Sequence, residues 1–190
     1  MSTSADESPD GNASIESVLR RRYRLVLGLF IAALIASGLT AFPLLHELEI
    51  LASLLGIPAA ADPQSFSGLQ SWIATVRDGL RDVHASHPWL AYGTDWLAFG
   101  HIVIAMFFIG PWRNPVANAW VLRVGLVACA AVIPLALICG PIRGIPFYWQ
   151  LIDCSFGVFG ALPLLYCLRL TRRMQACEAR HSPGEGRQCR

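Results

Sequence analysis

Four polar residues stand where polar residues are expensive: Asp95, His101 and Asp153 inside long apolar stretches, and Arg143 in the short turn CGPIRGIPF between two of them. A charge near the middle of a membrane-crossing helix costs on the order of 2.5–3.5 kcal/mol, so such side chains turn toward protein or water. Asp153, Gly157, Gly160 and Leu164 follow one another at four-three-four spacing and share a helix face. Small residues mark where helices approach closely, so Asp153 is expected to point into a bundle. Thr94, Ala98, His101 and Ala105 make a second, mostly small face, which turns His101 inward as well.

Asp95, His101, Arg143 and Asp153 are therefore the ligand-binding candidates, and they are expected to meet in the outer half of one bundle, with His46 and Glu47 at its rim. Such a pocket could bind a lipid headgroup, an ion or a small polar molecule. It could also serve a membrane-embedded enzyme acting on a lipid-linked substrate, with Asp95 or Asp153 as acid or base and His101 assisting. The plain alternative is an Asp–Arg pair that staples a loop to the helices. Arg123 has a simpler account, because its long side chain can snorkel to the membrane surface. No catalytic residue is assigned.

Neither a metal nor a cofactor is expected. His84 and His87 (HASH), with Asp82, read as solvated loop residues, and His101 has no second axial ligand at its depth for a haem. Glycine-rich phosphate loops, HExxH and serine elbows are missing. The six cysteines include no CxxC pair and read as small apolar fillers.

The elements that must position these residues are apolar blocks. Residues of the AVILMFWYC set make up 54% of the 190 and charged ones 15%, and the apolar residues fall in runs long enough to cross a bilayer. The fold class expected is all-α, an integral membrane four-helix bundle with spans at about 25–45, 89–111, 116–139 and 146–168. The first follows RRRYR at 20–24 and is ended by Pro43. Trp89, Trp96 and Trp112 sit as interfacial anchors do, and Pro134 is expected to bend the third span.

Residues 46–88 form the loop between the first two spans. Within it, Leu69, Trp72, Ile73, Val76, Leu80 and Val83 recur at helical spacing opposite Gln70, Arg77, Asp78, Arg81 and Asp82. That pattern predicts an additional amphipathic helix. The polar ends, 1–19 and 175–190, are expected to be disordered tails flanking a membrane domain of 20–174.

All 15 basic residues are arginine. Arg20, Arg21, Arg22, Arg24, Arg113, Arg169, Arg172 and Arg173 fall on one side of the spans, against Arg77, Arg81 and Arg143 on the other. The positive-inside rule then puts both termini in the cytoplasm and the 46–88 loop outside the inner membrane. The expected protein is a small multi-pass one whose partners are the bilayer and, at the outer polar cluster, a lipid-like or small polar ligand or a protein. No nucleic-acid partner is expected. The enzyme reading and a small transporter working as a homo-oligomer are the alternatives.

Overall fold

The structure, a computed structural model, describes residues 9–181, with side-chain surroundings from 16 to 177. Every regular element among them is helical: α1 (Pro9–Ala41), α2 (Leu44–Leu54), α3 (Gly68–Ser86), α4 (Tyr92–Phe107), α5 (Ile109–Arg113), α6 (Ala119–Ile142) and α7 (Phe147–His181). Short 3-10 turns at Pro63–Ser65 and Pro88–Ala91 precede α3 and α4. Four segments are long and apolar enough to cross a membrane: Glu16–Ala41, Pro88–Arg113, Ala119–Ile142 and Phe147–Cys177. Between 11% and 22% of each apolar window is buried, so most of its side chains face outward. Apolar surface on that scale is what a helix presents to lipid.

Three boundaries depart from what composition suggests. Helix α1 begins at Pro9 and α7 runs to His181, taking in parts of both expected tails. Extending an existing helix costs far less than nucleating one, and Arg20 supports the extension by pairing with Glu16 one turn away at 3.0 Å. The remaining tail residues, 1–8 and 182–190, lie outside the described residues. The second apolar segment is not one helix but the 3-10 turn, α4 and α5, interrupted at Phe108. Pro111 explains the interruption, since it has no N–H to offer the carbonyl of Phe107, the last residue of α4. Phe108 is buried and meets Phe30 edge-on, with ring centroids 5.0 Å apart.

The chain divides into two compact units, Ala32–Ala105 and the combination of Met1–Ile31 with Met106–Arg190. In the second of these, α6 and α7 pack along each other as a hairpin. Its turn needs Gly144, whose φ of +69° is open to glycine and strained for other residues. Gln150 is buried against Gly140, and its Nε2 donates to the Ile145 carbonyl at 2.8 Å, tying the start of α7 to the turn. Further along, a Cβ on Gly157 would stand 2.5 Å from the Cys129 carbonyl oxygen, and one on Gly160 would stand 3.1 Å from the Cys129 sulfur. The face of α7 carrying Asp153, Gly157, Gly160 and Leu164 thus lies against α6. Where α1 enters this unit, Trp112 Nε1 donates to the Arg24 carbonyl at 3.1 Å, and the Arg24 guanidinium lies over the same indole.

In the Ala32–Ala105 unit, the end of α1 meets α4 closely. A Cβ on Gly38 would stand 2.8 Å from the Ala98 carbonyl oxygen and 3.1 Å from His101 Cβ. Helices α2 and α3 pack together, and Gln70 Nε2 donates to the Leu55 carbonyl at 3.0 Å. The buried residues of α3 are Ile73, Ala74 and Arg77. Ile73 belongs to the expected stripe, whose Trp72, Val76, Leu80 and Val83 are half-buried, and Ala74 and Arg77 extend the buried side beyond it. Leu69, expected on the apolar side, is exposed, and Arg77, expected on the polar side, is only 1% exposed.

Candidate ligand-binding site

Asp95 sits in the first turn of α4, at the end where the helix dipole favours a carboxylate. Pro88 opens the 3-10 turn that leads into it, at a position that needs no N–H donor. Asp95 lines an open cavity of about 680 Å3, formed where α1 gives way to α2, by one side of α3, and by the start of α4. Its lining belongs wholly to the Ala32–Ala105 unit. Phe42, Leu80, Val83 and Leu90 supply apolar wall, and His46, Glu49, His84, Thr94 and Asp95 supply the polar groups. That mixture, mostly apolar with a few placed polar atoms, is the usual make-up of a small-molecule site.

The polar groups are not equivalent. Glu49 is already engaged, since Arg81 Nε and Nη2 donate to its Oε1 at 3.1 and 3.0 Å. Thr94 Oγ1 donates to the Ala91 carbonyl at 2.7 Å, leaving its oxygen free to accept. Asp95, His46 and His84 make no side-chain hydrogen bond or ion pair among the described residues, so one carboxylate and two imidazoles remain to meet a ligand. No three His, Cys, Asp or Glu side chains among the described residues come together as a metal site would require.

The loop behind this cavity is held by two arginines of α3. Arg77 Nη1 donates to the Pro58 carbonyl at 3.0 Å, and Arg81 Nη1 donates to the Ala59 carbonyl at 2.7 Å. Arg77 Nε also donates to Asp78 Oδ1 at 2.9 Å, while its Nη2 is buried without a partner. Arg81 is a third exposed, so its ion pair with Glu49 is well screened. Arg81→Ala is expected to cost about 1 kcal/mol, read as a drop of a few degrees in thermal midpoint.

None of the other three candidates lines this cavity. His101 is half-buried on the α4 face that meets Gly38, and its Nδ1 lies 2.8 Å from the Leu97 carbonyl of its own helix. Six helical positions turn it roughly 120° from Asp95, and it does not line the cavity. Arg143 and Asp153 belong to the other unit. Arg143 follows the end of α6, where its backbone N–H bonds to the Cys139 and Gly140 carbonyls and its side chain is exposed. Asp153 is half-buried on the α7 face that packs on α6. No ion pair joins Arg143 to Asp153 among the described residues.

Residue types and spacing alone do not single out Glu49, Arg77 or Gln150, and they read His84 as a solvated loop residue, whereas it lies in α3 and lines the cavity. For His84 a signal does exist: it follows Leu80 by four positions and so borders the apolar stripe of α3. Arg77 has no such signal, because its partner is the Pro58 carbonyl of a loop that folds back over α3, and Gln150 has none because its burial against Gly140 depends on how the turn brings α7 onto α6. No protein-family model matches the chain, and neither a curated protein nor a solved structure matches it.

Proposed function

We propose that this chain is a multi-pass protein of the cytoplasmic membrane that captures a lipid-like ligand in the cavity around Asp95. The four apolar segments form a bundle with both termini in the cytoplasm, and α3 is an amphipathic helix of the external loop. Support for the bundle comes from the close approaches at Gly38 and Gly157, each of which brings a second helix within a Cβ of the backbone. Support for the orientation comes from the arginines, eight at one side of the spans against Arg77, Arg81 and Arg143 at the other.

The observation that carries the ligand reading is the division of labour within the cavity. Phe42, Leu80, Val83 and Leu90 suit a chain or ring, while Asp95, His46 and His84 suit a head that donates hydrogen bonds. Asp95→Asn keeps the size and removes the charge. A hydrogen bond to a charged group contributes about 1.5–3 kcal/mol, so retention of the ligand should fall about tenfold or more with the protein still folded. Mass spectrometry of lipids carried through purification reads the effect. If Asp95→Asn and the unaltered protein carry the same complement, the cavity is not the site.

A second reading rests on the same residues. Asp95 lines one cavity with two histidines, and a carboxylate and an imidazole that face a common cavity are groups that general acid–base chemistry on a lipid-linked substrate can use. His101, turned away and engaged by Leu97, would have no part in it. A product formed from a polar-lipid extract, dependent on both Asp95 and His46, would favour this reading over simple capture.

A further inference from the structure

We infer that a second lipid site lies in the other unit, a groove that takes an anionic phospholipid between the start of α1 and Tyr166 of α7. Its walls are Val18, Arg21, Arg22, Leu25, Val26 and Tyr166, and its volume is about 550 Å3. C-terminal to Val18, the lining along α1 changes character within one turn. Leu25 follows Arg21, and Val26 follows Arg22, each by four residues, so cationic heads give way to apolar side chains on the same helix face. Headgroup and acyl chain of a phospholipid are ordered in the same sense.

The neighbouring arginines sharpen the assignment. Arg20 is paired with Glu16 at 3.0 Å, and Arg24 lies over the Trp112 ring at 5.5 Å. Arg21 and Arg22 are exposed, and among the described residues neither has an ion pair or side-chain hydrogen bond. Of four arginines in five positions, the two left unengaged are the two that line the groove. Guanidinium groups match phosphate oxygens in pairs, and they are weakly hydrated enough to leave water for them. Leu25 is 59% and Tyr166 39% exposed, so both can cover an acyl chain without rearrangement. A free phosphate would use only the arginines and leave that apolar strip idle.

The test uses the full chain in mixed micelles or nanodiscs, with phosphatidylglycerol as probe and phosphatidylcholine as reference. Native mass spectrometry should show phosphatidylglycerol retained about twenty- to thirtyfold over phosphatidylcholine, the effect expected of two arginines at a membrane surface. Its addition should also raise the thermal midpoint of the unaltered protein. Arg21→Gln with Arg22→Gln should abolish the preference, whereas Arg172→Gln with Arg173→Gln, which removes the same charge off the groove, should keep it. Three results would each overturn the inference: equal retention of the two lipids by the unaltered protein, equal loss in both double variants, or displacement of the lipid by millimolar inorganic phosphate. Both double variants leave every residue lining the cavity around Asp95 unchanged, so the difference between them reads the groove alone.

Discussion

Gly157→Ala is expected to destabilise the protein by about 1–3 kcal/mol, although alanine is the better helix former. The new Cβ would stand 2.5 Å from the Cys129 carbonyl oxygen, well inside contact distance. That oxygen is backbone within α6 and cannot swing aside, so α6 and α7 must move apart along their packed length. Dispersion contacts fall steeply with such a gap, and in lipid there is no hydrophobic force to restore them. For a chain of this size the change should lower the thermal midpoint in detergent by roughly 3–9 °C.

Two other glycines grade the effect. At Gly125 the nearest atoms are the Leu164 Cδ1 and Phe108 Cζ, both 2.9 Å away and both at the ends of side chains that can adjust. Gly125→Ala should therefore cost less than Gly157→Ala. At Gly100 nothing lies within 4 Å, and Gly100→Ala should be neutral or stabilising. Equal midpoints for Gly157→Ala and Gly100→Ala would mean that α6 and α7 are not in backbone contact at this point.

Arg77→Ala should be the most damaging change in the Ala32–Ala105 unit, at about 3–5 kcal/mol. Arg77 is the largest of the fully buried side chains, so its truncation leaves a void as well as a freed Pro58 carbonyl. Arg77→Met should cost much less, about 1 kcal/mol. Methionine fills most of the volume and removes the buried Nη2 that lacks a partner. Asp78, left behind, is a third exposed and can be hydrated, and Arg81 Nη1 lies 3.7 Å from it. Thermal midpoints of the two variants, with protease cleavage near Ala61 as a local reporter, distinguish volume from charge. Should methionine prove as costly as alanine, the hydrogen bonds of Arg77 rather than its packing would be what holds the loop.

The four segments long and apolar enough to cross a membrane, the helix between the first two of them and the small face of α7 are all legible in residue order. Each depends on sums or periods taken along one stretch of chain. A bilayer acts on each segment separately, through its length and hydropathy, and a helix sets which residues share a face before any partner arrives. For the same reason Asp153 could be placed on the small face of α7 with Gly157 and Gly160, whereas that α6 is the helix meeting this face is known only from the close approach at Gly157.

Which polar groups meet is a different kind of fact. Arg77 sits among charged residues at a position that reads as solvated, yet residues 58–59 return over α3 and bring carbonyls within its reach. The cavity draws Asp95 together with His46 and His84 because α1 gives way to α2 at Pro43 and α3 folds back on α2, a path that no spacing along the chain encodes. Hydropathy and periodicity act over neighbours in sequence, whereas a binding site is built from contacts between segments far apart in it.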